Sequence, residues 1–260
     1  MPSHLATDLA ALATRRRALG LGALGIGGLL AACNETVAAR TLDQAAKCLP
    51  TPEEIRGPFP ADGTRAGGRT LSVFGSEGLV RRDIRSSFAG MAGVADGVRL
   101  DCALKLVDAA TCAPLAGRAL YLWQCDAVGD YSLYNRTDAN FLRGMQASDA
   151  DGMVRFTSIV PGCYGGRAPH VHLEVFDNLE AATGGHESLL VSQLAFDETE
   201  CAKVYRARSQ YGSSLANLSQ WPAEEDFAFS GSDAARAAQT IRLSGDPATG
   251  YRGEATVALG

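Results

Sequence analysis

Histidine is scarce in this sequence. Only four of the 260 residues are histidines, and His4 lies in a segment that we expect to be removed. Of the remaining three, His170 and His172 stand two positions apart in one short stretch. Two imidazoles at that spacing on one face of a strand can share a metal ion. The sequence therefore has one candidate metal site.

Long apolar runs and stripes of positive charge are also missing. Residues 19–32 are rich in glycine and only mildly apolar, and the run is too short for a good transmembrane helix. The net charge is −5, and the mature region has no basic stripe, so we expect no nucleic acid partner. Hydrophobic residues make up 46% of the chain, which is enough for a sizeable core. There is no internal repeat and no low-complexity tract.

Residues 1–33 are predicted to be a targeting segment and not part of the fold. Residues 14–19, Thr-Arg-Arg-Arg-Ala-Leu, resemble a twin-arginine export signal. Residues 30–33, Leu-Ala-Ala-Cys, resemble a bacterial lipobox, in which Cys33 becomes the lipidated N-terminus. We therefore expect an exported protein of the periplasm or cell envelope, anchored to the membrane through Cys33. The alternative is a plain signal peptide that is cut near Ala39.

The remaining cysteines follow Cys33, and in an oxidising compartment they allow many pairings among which the sequence does not choose. They are Cys48, Cys102, Cys112, Cys125, Cys163 and Cys201. Cys163 has a further interpretation as a zinc-bound thiolate beside the two histidines. That interpretation ranks below a disulfide or a buried thiol, because Cys163 would compete with the adjacent Tyr164 for one place.

The patterns downstream of the targeting segment predict an all-β protein. Residues 34–97 are predicted to be an extended leader, because the stretch 51–60 contains three prolines and should be draped over the fold. Residues 98–260 are predicted to form a β-sandwich with short helices, since short alternating segments are separated by turn signals. The predicted strands are 98–107 and 118–125, joined as a hairpin, then 153–159, 170–176, 188–196, 239–243 and 251–259, with a short helix at 198–208.

The strand at 170–176 carries the candidate site. Its polar positions are His170, His172 and Glu174, and the intervening apolar positions are Val171, Leu173 and Val175. This alternation is typical of a half-buried strand. The turn before it provides Tyr164, a possible phenolate ligand, and Arg167, a fixed positive charge. On its own, the pattern is equally typical of a core strand with two solvated histidines.

A second stretch, residues 122–134, favours a metal site over a core strand with two solvated histidines. Here a strand that ends in Trp123-Gln124 is followed by a glycine-containing loop, and Tyr131 and Tyr134 come just after it. Together the two stretches resemble the intradiol ring-cleavage dioxygenases, which open catechols with non-haem Fe(III). In that family a tyrosine follows a Trp-Gln or Trp-His strand, a second lies in a Pro-Gly-x-Tyr turn, and an Arg-x-x-His-x-His strand follows. The matching residues are Tyr131, Tyr164, His170 and His172, with Tyr134 as the alternative to Tyr131.

The resemblance extends from about Gly57 to the C-terminus and implies a function. It implies a β-sandwich that cleaves a catechol-type ring between its two hydroxylated carbons, with an aromatic diol and O2 as substrates. The four matching residues would hold Fe(III), a hard ion that prefers anionic oxygen donors. Tyr164 would leave the metal when substrate binds, and Tyr131 would stay. Arg167 would stabilise negative charge on the ring, and Gln193 would hydrogen-bond the substrate.

One departure and two alternatives remain. Only five residues separate Tyr164 from His170, fewer than in several family members, so we expect a wider site, and the resemblance does not extend to simple catechol or protocatechuate as the substrate. One alternative is a zinc-dependent or cupin-like metalloenzyme that uses His170 and His172, although Glu174 follows them too soon for a cupin-like ligand. The other is an inert β-sandwich lipoprotein that only binds, in which we would expect a ligand to be missing.

Overall fold

The computed structural model describes residues 49–66 and 68–260, and these belong to one compact unit. The predicted targeting segment 1–33, its Cys33 and the leader up to residue 48 lie outside the described residues, so they remain predictions. In the part of the chain that is described, no helix has the length and apolar character needed to cross a bilayer.

The described residues contain ten strands, which form a small hairpin and one large sheet. The hairpin consists of β1 (Asp62–Ala66) and β2 (Arg69–Ser72). The eight-stranded sheet has the order β5-β4-β7-β8-β9-β10-β3-β6. Its strands are β3 (Arg99–Asp108), β4 (Ala119–Trp123), β5 (Arg143–Ala147), β6 (Met153–Ile159), β7 (His170–Phe176), β8 (Leu190–Phe196), β9 (Thr240–Asp246) and β10 (Gly250–Leu259).

The large sheet folds into two halves that enclose the main core. Its two halves, β5-β4-β7-β8 and β9-β10-β3-β6, are joined only where Ala195 and Phe196 pair with β9. Apolar side chains of both halves, such as Leu173 on β7 and Leu104 on β3, belong to one buried cluster. Strands that alternate in this way bury one face each against the opposite half. The prediction of an all-β sandwich is therefore confirmed.

The hairpin predicted from residues 98–107 and 118–125 is wrong. Strand β3 lies between β10 and β6, whereas β4 lies between β5 and β7, so the two belong to opposite halves of the sandwich. Both strands are central, and each needs a hydrogen-bonded neighbour on both edges. The polar loop between them thus crosses from one half to the other and does not reverse the chain within one half.

The leader covers the outer face of β4, β5 and β7. Ala61, Val73 and Leu79 form a second buried cluster with Tyr121 and Trp123 of β4. As a result all seven residues of β7 are buried on both faces. The prediction of a half-buried strand is wrong on this point, because the leader packs over the polar face.

Four short helices lie around the sandwich in the described residues: α1 (Leu179–Thr183), α2 (Glu198–Ala207), α3 (Ser214–Gln220) and α4 (Asp233–Ala238). The helix predicted at 198–208 is α2. It begins at Asp197, whose side chain accepts a hydrogen bond from the amide of Glu200. The second of the two 3-10 turns among the described residues, Ala223–Glu225, precedes a segment, residues 226–229, that returns to the turn before β7.

Candidate metal centre

The polar atoms of Tyr131, Tyr164, His170 and His172 converge on one small volume. Oη of Tyr131 lies 3.4 Å from Oη of Tyr164, 3.4 Å from Nε2 of His170 and 3.1 Å from Nε2 of His172. Nε2 of His170 lies 3.2 Å from Oη of Tyr164 and 3.1 Å from Nε2 of His172. The four residues singled out by the sequence are therefore brought together. They stand between the outer face of the sheet and the leader.

The loop after β4 places Tyr131 by a local turn. The carboxylate of Asp126 accepts hydrogen bonds from the amides of Val128 and Asp130, both at 3.0 Å. Gly129 has a φ of +93°, and a Cβ on it would lie 2.9 Å from Cβ of Tyr164. Only glycine allows the loop to approach Tyr164 so closely. The short glycine loop therefore positions both tyrosines.

Hydrogen bonding fixes the orientation of one imidazole. Nδ1 of His170 lies 2.7 Å from the carbonyl oxygen of Ala168. A carbonyl oxygen only accepts, so Nδ1 carries the proton and the lone pair of Nε2 faces the common centre. His172 stacks on Trp123, with ring centroids 4.9 Å apart and an interplanar angle of 7°. Its Nε2 is thereby held towards the same point.

Tyr131, and not Tyr134, belongs to this cluster. The hydroxyl of Tyr134 accepts a hydrogen bond from the amide of Ala61 at 3.1 Å, so it is engaged by the leader. Tyr131 is only 1% exposed. Tyr164 is partly exposed and is followed by two glycines. The two phenols therefore differ in how firmly their surroundings hold them.

Burial keeps the four groups of this cluster uncharged when no cation is bound. Burial raises the pKa of Tyr164 to about 12 and the pKa of Tyr131 well above its ordinary value. Burial also lowers the pKa of both histidines, and the positive charge of Arg167 adds to the effect. The four groups therefore stay uncharged by themselves, and each phenol can donate its proton to the Nε2 of an imidazole. A bound cation would satisfy all four lone pairs at once.

The donor set fits a metal ion, and its oxygens suit ferric iron. Atoms spaced 3.1–3.4 Å apart around one point match ligands that lie about 2 Å from a shared ion. Two phenolic oxygens with two imidazole nitrogens suit a hard ion that can also bind nitrogen. In the described residues, no three His, Cys, Asp or Glu side chains are grouped to hold a metal.

The zinc and cupin-like alternatives lack a third ligand here. The thiol of Cys163 points at the carbonyl oxygen of Arg167, at 3.3 Å, and the carboxylate of Glu174 accepts a hydrogen bond from Arg56 at 2.8 Å. Cys102, Cys125, Cys163 and Cys201 are buried free thiols. Among the described cysteines, the interpretation of Cys163 as a buried thiol therefore describes the structure best.

Arg167 lies beside the cluster in a network of three side chains. Its Nε donates to Asp226 at 2.8 Å, and its Nη2 donates to Oε1 of Gln193 at 2.5 Å. Nε2 of Gln193 in turn donates to the leader carbonyl of Ile55 at 2.9 Å. Arg167 and Gln193 were expected from the sequence. Asp226 was not, because its Asp-Phe-Ala-Phe segment matches no motif and stands 59 positions from Arg167.

Comparisons with known proteins show what this chain is similar to. A family model described as "Dioxygenase" matches residues 81–205. An intradiol ring-cleavage dioxygenase from Tetranychus urticae is 25% identical, with a TM-score of 0.61, over 82% of this chain and 95% of that one. Catechol 1,2-dioxygenase from Pseudomonas arvilla C-1 is 22% identical, with a TM-score of 0.50, over 98% of this chain and 76% of that one.

The fold is that of the intradiol ring-cleavage dioxygenases. Among curated protein sequences, none matches this chain. The matched residues 81–205 contain the four convergent residues together with Arg167 and Gln193, but they end before Asp226. The intradiol fold thus accounts for the arrangement of the sandwich.

Proposed function

We propose that this protein is a non-haem iron dioxygenase that cleaves a catechol-type ring between its two hydroxylated carbons and incorporates O2. The observation that carries the proposal is the convergence of two phenols and two imidazoles within 3.4 Å on an intradiol fold. Tyr131, Tyr164, His170 and His172 would hold the metal. Ferric iron bound there would supply a centre that coordinates both catechol oxygens and withdraws electron density from the ring.

The two phenols have different roles in this proposal. Tyr131 packs against Phe59, with ring centroids 4.9 Å apart, and is almost fully buried, so it stays in place. Tyr164 is partly exposed on the turn before β7 and is followed by Gly165 and Gly166. It is the phenol with room to swing aside. Its Oη, which would be a phenolate while it holds the metal, would then accept a proton from the incoming diol.

Arg167 would act on the bound substrate, and Gln193 would support Arg167. The guanidinium of Arg167 stands next to the cluster, and within residues 49–66 and 68–260 its Nη1 has no hydrogen-bond partner. A fixed positive charge there stabilises negative charge that develops on the ring during the reaction. Gln193 holds the guanidinium and also contacts the leader at Ile55.

The test combines metal content, oxygen uptake and product analysis. Purified protein should contain iron and show a visible tyrosinate-to-iron absorption band. With a panel of substituted catechols it should consume O2 and yield muconate-type diacids that contain both oxygen atoms. Arg167→Ala should lower kcat by about 10² to 10³ while weakening binding much less. An iron-loaded protein that consumes no oxygen, or that cleaves beside the diol, would refute the proposal.

We also infer that the protein is exported and lipidated at Cys33, on the strength of the arginine triplet and the Leu-Ala-Ala-Cys run. Mass spectrometry of the envelope fraction should find a lipid-modified Cys33 as the N-terminal residue. A mature chain that begins near Ala39 and fractionates as a free protein would contradict lipidation and leave the dioxygenase proposal intact.

A further inference from the structure

Asp226 occupies a position that the proposed chemistry does not yet use. Its side chain is fully buried. Its Oδ2 accepts hydrogen bonds from Nε of Arg167 and from the amide of Ala168, both at 2.8 Å. Its Oδ1 accepts one from the amide of Ala228 at 3.0 Å. One carboxylate therefore ties the 226–229 segment to the turn that carries Arg167.

These contacts restrict Arg167 from two sides. Asp226 holds the guanidinium at Nε, and Gln193 holds it at Nη2. The ring of Phe227 lies 4.6 Å from Cζ of Arg167 and covers the guanidinium. A planar guanidinium that is bonded at two of its nitrogens and covered on one face has little freedom left. Its remaining nitrogen is thereby aimed in a fixed direction.

The same carboxylate also acts on the turn that orients His170. It binds the amide of Ala168, and the carbonyl of Ala168 accepts from Nδ1 of His170 at 2.7 Å. Phe229, three residues after Asp226, lies with its ring centroid 6.3 Å from that of His170. Asp226 therefore holds one residue, Ala168, which follows the arginine and whose carbonyl orients a candidate ligand.

We propose that Asp226 is a positioning residue that sets the direction of the Arg167 guanidinium at the candidate centre. The inference rests on the proposed function. Asp226 does not touch the centre itself; it acts through Arg167. An arginine that is to stabilise a transient charge must already point at it, since reorganisation during the reaction would consume the benefit. The buried ion pair also removes the cost of leaving a guanidinium unpaired in the interior.

The kinetic test uses Asp226→Asn in the full-length, iron-loaded protein, with activity expressed per bound iron. Asparagine keeps the size but loses the charge, so kcat should fall by about 10- to 100-fold with a smaller change in KM. Asp226→Glu restores a carboxylate and should recover part of the lost kcat. This variant also keeps the proposal testable if Asp226→Asn folds poorly. The matched control is Asp149→Asn, because Asp149 also binds one arginine and two backbone amides.

A double-mutant cycle separates positioning from a general structural role. In an Arg167→Ala background, Asp226→Asn should cause a much smaller loss of kcat than in the wild type, because the residue through which it chiefly acts is already gone and only its bond to the amide of Ala168 still holds that turn. A full additional loss in that background would overturn the proposal. So would an Asp226→Asn variant whose kcat per iron matches that of Asp149→Asn.

A second readout does not depend on activity. In protein loaded with diamagnetic gallium(III), the Nε–H of Arg167 should give a slowly exchanging NMR signal, assigned by its loss in Arg167→Lys. Asp226→Asn should abolish or shift it, and Asp149→Asn should not. If the wild type is inactive while this signal responds, the proposed function fails and the contact stands. If the wild type is active and neither kcat nor the signal changes, only the present inference fails.

Discussion

At Gly57 the leader passes so close to His172 that a methyl group there would crowd the imidazole. Gly57 has a φ of +74°, and a Cβ there would lie 3.0 Å from Cε1 of His172. Gly57→Ala therefore incurs backbone strain of about 1 kcal/mol and also pushes the imidazole. We expect iron affinity, measured by competition with a chelator, to fall about 10-fold, because groups that orient a ligand contribute on that scale.

Gly68 provides the control for this substitution. Its φ is +75°, nearly the same, but no atom lies within 4 Å of a Cβ built on it. Gly68→Ala should lower the stability towards urea by a similar amount and leave iron affinity unchanged. Equal losses of iron affinity in the two variants would show that backbone strain, and not contact with His172, is responsible.

Tyr131 and Tyr134 form a second matched pair. Tyr131→Phe keeps the ring that packs on Phe59 and removes the hydroxyl at the candidate centre. It should abolish or shift the visible absorption band while the fold is retained. Tyr134→Phe removes only the hydrogen bond from the amide of Ala61, which costs about 1 kcal/mol of stability. An unchanged spectrum in Tyr131→Phe, or a changed one in Tyr134→Phe, would contradict the ligand assignment.

Besides its apolar packing, the leader, as an element, is held to the sheet by a charge cluster. Nε of Arg56 lies 2.8 Å from Glu174 on β7 and 3.2 Å from Asp62 on β1, and its Nη2 donates to Ser188 at 3.0 Å. Burial, and then the neighbouring Asp62, raises the pKa of Glu174 to about 8. Two adjacent buried carboxyl groups thus share one cation, so Arg56 contributes to the attachment of the leader.

Arg56→Met should loosen the leader. Because it leaves buried carboxyl groups without their cation, we expect a loss of about 1–3 kcal/mol in urea unfolding. The amide of Glu54, which donates to Val191 at 2.9 Å, should exchange its hydrogen faster. Arg99→Met removes an exposed pair with Asp101 and should cost less than about 1 kcal/mol. Equal effects of the two substitutions would show that the cluster does not hold the leader.

Elements were predictable where their signal is local. The alternation at 170–176 predicted β7, and the composition of 198–208 predicted α2. The covering of the polar face of β7 was not predictable, because it depends on Arg56, 118 positions before Glu174. The prediction of the neighbours of β3 was wrong for the same reason, since β10 comes from the C-terminal end of the chain. Periodicity describes the faces of a strand and not its neighbours.

At the scale of the whole molecule, the candidate site also combines residues that have a local sequence signal with one that is brought in by distant packing. Its four convergent residues lie at or beside the ends of two adjacent strands, β4 and β7, where a short motif can carry them. Asp226 reaches the site only because the 226–229 segment folds back across the sandwich. A single carboxylate in an Asp-Phe-Ala-Phe segment has no pattern of its own. Asp226, the part of the site that depends on tertiary packing, was therefore not predictable from the sequence.

The four buried thiols report on the integrity of the whole sandwich. Cys102, Cys163 and Cys201 belong to the main core, and Cys125 belongs to the cluster beneath the leader. Burial raises the pKa of Cys102 and Cys163 to about 12 and also raises the pKa of Cys125 and Cys201. The thiolate is the reactive form. All four should therefore stay unmodified by iodoacetamide at pH 8.5 in the native protein.

Urea should then expose the four thiols together, because both clusters pack on the same sheet and should unfold cooperatively. Peptide mass spectrometry gives the modified fraction of each cysteine, and Ser244→Cys, at an exposed position on β9, provides a thiol that reacts at once. The raised pKa values of the four thiols determine how the free energy of unfolding changes at high pH. Above about pH 9 the unfolded chain releases thiol protons that the native one retains, so the free energy of unfolding should fall as pH rises towards 12. If Cys125 became labelled at lower urea than the three core thiols, the leader and the sandwich would be separate cooperative units.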